Sequence, residues 1–290
     1  MNLPIVVGVD GSEPSLRAVD RAADEAALRG AGLRLVYASL WERYEGGLFA
    51  HDVDKPSEDV TGEDIVATAE SRARRRQPGV RVTTDLPAEA PEYALVRESR
   101  TALAVVVGCR GRSSVTEALL GSVSVMVAAH AHCPVFVVRG SHDTQARSRA
   151  RGRIVVGVGE KPTGSAAVRF ATEEALLHGV PLEAVRAWRR PVHATTGQPL
   201  ISGEPAHLYE QQATEALEEA LRDLPEGLPV QRRTVEAHAR DALVAASREA
   251  DLLVVGARRR HAHLGLQLGR VAHGVLHHAA CPVVVVPEPD

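Results

Sequence analysis

Short β-branched and aliphatic runs alternate along the chain with stretches whose apolar positions recur every three to four residues. The first kind fits strands covered on both faces, the second amphipathic helices. In the first half the pattern predicts strands near Ile5–Val9, Leu33–Tyr37, Val80–Thr84, Ala102–Val107 and Val135–Val138. Helices are expected between them at Ser15–Arg29, Glu63–Arg76, Ala90–Arg100 and Ser122–His130. The first helix would bury a stripe of Leu16, Val19, Ala23, Ala26 and Ala27, with Ser12 or Ser15 placed to cap it. Trp41–Asp59 has no clear period and carries Gly46-Gly47, Pro56 and several acids, so it reads as a long loop, either a lid or a floppy insertion.

The pattern then repeats. Ile5-Val-Val-Gly-Val-Asp10 is echoed by Ile154-Val-Val-Gly-Val-Gly159, an offset of 159 − 10 = 149. Cys133-Pro-Val-Phe-Val-Val138 is echoed by Cys281-Pro-Val-Val-Val-Val286, an offset of 281 − 133 = 148. Two copies collinear to one net residue are a duplication. The second copy predicts strands at Ile154–Val158, Leu182–Ala187, Val230–Val235, Leu252–Val255 and Val283–Val286. Alternating β and α units of this kind build an α/β fold of two tandem domains, each with a five-stranded parallel sheet. The expected domains are residues 1–140 and 153–290, joined by a linker at 141–152. The Arg-, Ser- and Gly-rich stretch Gly140–Arg153 reads as a solvated connector, although Arg147, Arg149, Arg151 and Arg153 offer a grip for an anion.

Composition narrows the function. A net charge of −3 leaves no overall basic field for nucleic acid. No apolar run approaches the ~20 residues that span a bilayer, and Met1–Asp10 has neither a basic nor a hydrophobic leader region, so the expected compartment is the cytoplasm. Cys109, Cys133 and Cys281 are too few and too scattered for a disulfide framework and are expected to be free thiols. Lys55 and Lys161 are the only lysines, and neither stands in a P-loop. A Rossmann glycine fingerprint is absent after the first strand, and no Gly-x-Ser-x-Gly elbow supplies a hydrolase nucleophile. His261, His263, His273, His277 and His278 cluster late in the chain, with His273 and His277 at i, i+4; lacking an HExxH arrangement, they read as surface and core histidines rather than a zinc site.

In doubly wound sheets ligands bind beyond the carboxyl ends of the strands, where the strand order reverses. Here that crevice is expected between the loops after the first and fourth strands. The second of these runs from Gly108 through Gly111 to Gly121-Ser122, where the next helix opens. Glycines let the backbone approach a ligand, and the first amides of a helix have no internal partner, so this loop is built to cradle an anion.

The spacing Gly108, two residues, Gly111, nine residues, Gly121-Ser122 is similar to the nucleotide-binding signature of the ATP-binding universal stress proteins. The Val-Gly-Val-Asp10-Gly-Ser opening and the Cys-Pro-Val ending resemble that family too, and the likeness spans almost the whole chain twice. It implies the adenine-nucleotide α-hydrolase-like fold. It also implies ATP held by Gly108, Arg110, Gly111, Gly121, Ser122 and Val123, with Gly8 and Asp10 closing the other side and adenine near Val36–Ala38. A carboxylate beside phosphates repels them unless it accepts a ribose hydroxyl or shares a cation, so Asp10 implies sugar contact or Mg²⁺ accompanying the nucleotide. Arg110 and Arg112 are candidates to neutralise phosphate charge. The resemblance also implies pairing through the last strand. In a tandem chain this becomes a pseudo-dimer of the two lobes, with a homodimer of whole chains also open.

The second copy departs from the signature. Gly157, Gly256 and Gly269 are kept, but Arg259 replaces the middle glycine, Arg270 the serine, and Gly159 the aspartate. The expectation is a degenerate site; the other reading is a cationic pocket of Arg258, Arg259, Arg260 and Arg270. Overall the chain reads as an ATP-binding stress or signalling factor rather than an enzyme, since no evident base accompanies the cradle. A nucleotide-free scaffold and an adenylating enzyme are the alternatives.

Overall fold

The computed structural model describes residues 3–39, 61–109, 120–139, 152–159, 165–190, 206–258 and 268–288. The predicted loop Trp41–Asp59, most of the linker, the loop residues Arg110, Gly111 and Arg112, and Arg259, Arg260, His261 and His263 of the second copy lie outside them. The chain divides into two compact units, the first built on Met1–Gln145 and the second on Ala146–Arg258 with Gly269–Asp290. We call them lobes.

The first lobe runs β1 (Ile5–Gly8), α1 (Glu13–Leu28), β2 (Leu33–Val36), α2 (Gly62–Arg76), β3 (Val82–Asp85), α3 (Pro91–Glu98), β4 (Ala104–Gly108), α4 (Ser122–His130) and β5 (Val135–Val138). Its sheet order is β3-β2-β1-β4-β5, parallel throughout. The second lobe repeats this with β6 (Ile154–Gly157), α5 (Ala166–His178), β7 (Leu182–Trp188), α6 (Ala206–Ala220), β8 (Val230–Glu236), α7 (Ala239–Ser247), β9 (Leu252–Arg258), α8 (Arg270–His278) and β10 (Val283–Glu288). Its order is β8-β7-β6-β9-β10, again parallel. The predicted α/β class and five strands per lobe are therefore observed, and no described helix is long and apolar enough to cross a membrane.

The duplication extends to single hydrogen bonds. Ser99 Oγ donates to the Val96 carbonyl and accepts from His132 N; at the equivalent place Ser247 Oγ donates to Val244 and accepts from Ala280 N. Gly30 and Gly179, 149 positions apart, follow α1 and α5 with φ of +60° and +63°. These repeats fix the correspondence used below.

The cores are the apolar strands, with Ile5, Val6, Val7, Val105 and Val106 fully buried in one lobe and Val155, Val156, Leu253 and Val254 in the other. Val135–Val138 and Val283–Val286 are wholly apolar. The outer strand β3 of the first lobe is polar, and its Thr83 and Thr84 face solvent.

Some boundaries moved. Helix α1 begins at Glu13 with Ser12 as its cap, while Ser15 lies buried inside the first turn. Its buried stripe is Ala18, Val19, Ala22, Ala23 and Ala26; Leu16 is half-buried and Ala27 exposed. Alanine dominates because α1 lies close on β4 and β1, and on its other side it is tied to α2. There Arg72 reaches Asp20 through two bonds of 2.9 and 2.7 Å, and Arg76 and Gln77 reach Asp24. Helix α2 opens with a capping box in which Thr61 and Asp64 each bond the other's backbone N–H.

Candidate functional site

β1 lies between β2 and β4, with Ile5 opposite Leu33 on one side and Ala104 on the other. The strand order reverses at this junction, so the carboxyl ends of β1 and β4 border the crevice expected for a ligand. Gly8 and Asp10 stand at the end of β1 and Gly108 at the end of β4.

After β1 the chain turns sharply through Gly11, whose φ of +78° only glycine adopts without strain. The turn is held by Asp10: its Oδ1 accepts from Ser12 N at 3.0 Å and from Ser12 Oγ at 2.6 Å. Ser12 Oγ in turn accepts from Ser15 N, capping α1, and Ser15 Oγ accepts from Asp10 N while donating to the Ser12 carbonyl. Asp10 Oδ2 has no hydrogen bond among the described residues.

Both ends of the loop between β4 and α4 are pinned. Gly121 N donates to the Cys109 carbonyl at 2.7 Å, and Cys109 N to the Val138 carbonyl at 2.8 Å. Ser124 Oγ, buried in the first turn of α4, donates to the Gly108 carbonyl at 2.7 Å. The N-cap is Gly121, which has no side chain to offer, so α4 begins without a side-chain cap. The amides of Ser122, Val123 and Ser124 make no hydrogen bond among the described residues, and the Ser122 side chain is exposed. The start of a helix carries the positive end of its dipole, and these three amides have no described partner there.

Gly108 has a structural duty that the sequence did not disclose. A Cβ there would stand 2.7 Å from the Pro14 carbonyl carbon, 2.8 Å from its oxygen and 3.0 Å from Ser15 N. This glycine admits the first turn of α1 onto the end of β4. At Gly8 the neighbour is the Leu95 side chain, at 2.8 Å. The expected adenine region follows β2, where the Val36 carbonyl accepts from Val9 N and Tyr37 N donates to the Asp85 carbonyl. The structure therefore brings Gly8, Asp10, Gly108, Gly121, Ser122 and Val123 to the same edge of the sheet; Arg110, Gly111 and Arg112 are not described.

The second lobe keeps three of the glycines and differs around them. Gly157 ends β6, Gly256 lies two residues inside the end of β9, and Gly269 caps α8 without a side-chain bond. Ala272 stands where Ser124 would be, so the bond to the preceding strand is lost, and exposed Arg270 replaces Ser122. Arg186, in the position of Tyr37, donates to the carbonyls of Val158 and Gly159 across the end of β6. Strand β7 runs on to pair Trp188 with Glu236, three residues beyond the last β2–β3 pair. The Arg186 side chain thus lies over the end of β6. Arg186 was missed because its role depends on which strand end it bends over.

The thiols are buried, and desolvation pushes Cys133 up to about 12 even though backbone hydrogen bonds oppose it. His273 and His277 lie one turn apart on α8 with ring centroids 4.6 Å apart, and no further described His, Cys or carboxylate completes a three-ligand set with them.

A parallel α/β sheet repeated in tandem, with a glycine-opened helix at its switch point, defines a tandem doubly wound α/β class of fold. The sequence profile of the Universal stress protein family matches residues 1–139 and again 150–287. The chain belongs to the universal stress protein family, as a tandem member. A universal stress protein of Mycobacterium tuberculosis is 30% identical over 301 residues, covering 97% of this chain and 96% of that protein. One from Mycolicibacterium smegmatis is 31% identical over 293 residues, with the same coverage of each. The crystal structure of a universal stress protein from Archaeoglobus fulgidus superposes with a TM-score of 0.69 at 19% identity, covering 99% of this chain and 98% of that one, a likeness of fold.

Proposed function

We propose that the first lobe binds ATP, that the second does not, and that occupancy of the first is the signal this stress protein transmits. The observation that carries the reading is the start of α4: a glycine cap, amides on Ser122, Val123 and Ser124 without a hydrogen bond among the described residues, and an exposed Ser122, tied to the end of β4 through Ser124. Polyphosphate satisfies those donors and gains from the helix dipole. Asp10, with one oxygen tied to Ser12 and the other available, suits a ribose hydroxyl or a Mg²⁺ ion carried in with the phosphates. Bound there, the ion supplies charge neutralisation. Arg110, Arg112 and Gly111 complete the proposed cradle, and Val36–Ala38 form the adenine side.

Retention of nucleotide, rather than turnover, is the proposed activity. Hydrolysis requires a group that orients water against the terminal phosphate, and the carboxylate at hand, Asp10, gives one oxygen to the α1 turn and is assigned through the other to sugar or cation. The proposed boundaries are 1–140 and 153–290 about a linker at 141–152, with pairing of lobes or chains through the last strands and work in the cytoplasm.

The test is Gly121→Val. Gly121 has φ −69° and ψ 147°, which valine adopts freely, so the helix start survives while a branched side chain enters the cradle. Titration calorimetry should show ATP affinity falling by at least about tenfold with an unchanged circular dichroism spectrum. Undiminished affinity, or protein purified from cells with no nucleotide and no response to added ATP, would leave the scaffold reading in its place.

A further inference from the structure

At the end of β10, Glu288 turns its carboxylate onto the start of α5. Its Oε1 accepts from Ser165 Oγ at 2.7 Å and from Ala167 N at 3.0 Å, and its Oε2 accepts from Ala166 N at 2.8 Å. The same Oε1 lies 2.7 Å from where a Cβ on Gly256 would stand. In the first lobe the equivalent volume, over Gly108, is filled by the backbone of Pro14 and Ser15, the first turn of α1. Gly30 and Gly179 set the two helices in register at an offset of 149, so α5, beginning at Ala166, starts four residues later than α1: 166 − 149 = 17, against Glu13. Glu288 therefore occupies the space of a helical turn that the described part of α5 does not contain. By the offset of 148 that relates the last strands, its first-lobe counterpart is Gly140, which has no side chain to do this.

We propose that Glu288 is a built-in anion: a clamp that replaces the first turn of the helix, satisfies its leading amides with the protein's own charge, and ties the C-terminal strand to α5. A carboxylate accepting two backbone amides and a hydroxyl at a helix start makes charge-assisted bonds favoured by the helix dipole. Arg186, bonded to the Val158 and Gly159 carbonyls, closes the neighbouring strand end in the same manner. The end of β6 and the start of α5 are thus held by internal charges. The clamp stands on this geometry, and its test does not depend on what either lobe binds.

The experiment is amide hydrogen exchange on the full chain, comparing wild type with Glu288→Gly, which installs the first-lobe residue, and Glu288→Gln, which keeps one acceptor oxygen. Exchange at Ala166 and Ala167 should accelerate by about tenfold or more in Glu288→Gly and by less in Glu288→Gln, with the amides of Ser15 and Leu16 unchanged. Millimolar inorganic phosphate should slow exchange at Ala166 and Ala167 in Glu288→Gly and leave wild type unaffected, because only the variant lacks its anion. Equal protection in all three proteins overturns the clamp. Protection by phosphate in wild type, or none in Glu288→Gly, overturns the built-in anion. Should Glu288→Gly fail to fold, Glu288→Gln carries the test, and wild-type exchange rates in it would refute the proposal.

Discussion

Asp10 shows how far a single residue can be read in advance. Its place after an apolar strand and before Gly-Ser marked it as a candidate for sugar or cation contact. The structure adds that half of its carboxylate is engaged in building the turn. The cysteines were legible as free thiols from their number and scatter, but how inert they are depends on depth. Cys133, with a pKa raised to about 12 by burial, stays protonated where an exposed thiol ionises. We expect its alkylation by iodoacetamide at pH 8 to run more than about a thousandfold slower than that of a free thiol, rising sharply on denaturation. The linkage has a sign: the unfolded chain ionises near the ordinary value of 9.0 and the folded one does not, so this thiol's contribution to stability is intact below that pH and declines as pH climbs through it. Mass-resolved labelling of the three cysteines checks the rate, and fast labelling of Cys133 in the folded protein would contradict the burial.

Elements were legible where periodicity is strong and blurred where packing decides. The strands fell where the apolar runs lie, yet α1 buries Ala18 and Ala22 in place of the anticipated Leu16 and Ala27. A helix pressed onto two strands presents its small residues, and helical periodicity alone does not say how close the neighbour comes. Gly108 makes the same point between elements. Gly108→Ala would drive a methyl group into the Pro14 and Ser15 backbone, which cannot step aside, and should cost about 1–3 kcal/mol in denaturant unfolding. Gly8→Ala meets only the end of the Leu95 side chain and should cost less. If the order is reversed, packing of α1 on β4 is not what selects glycine at position 108. Either substitution would have been read from the motif as an injury to ligand binding alone.

At the scale of the whole molecule, duplication made two folds and then allowed them to diverge. We expect calorimetric titration to give close to one ATP per chain, with Gly121→Val abolishing the binding and Glu288→Gln leaving the stoichiometry alone; two equivalents in wild type would mean that the second lobe is a working site. The sequence by itself determined the class, the tandem repeat, the strand assignments and the glycine-opened helix, because apolar periodicity and spacing are local and survive in one dimension. Even the loss of the signature in the second copy was visible as Gly159, Arg259 and Arg270. What stands in the second lobe in place of the first turn of α1 was decided only in three dimensions: Glu288 lies 122 positions from Ala166 along the chain, and only parallel pairing of β10 with β9 brings its carboxylate over Gly256 and onto the amides of α5.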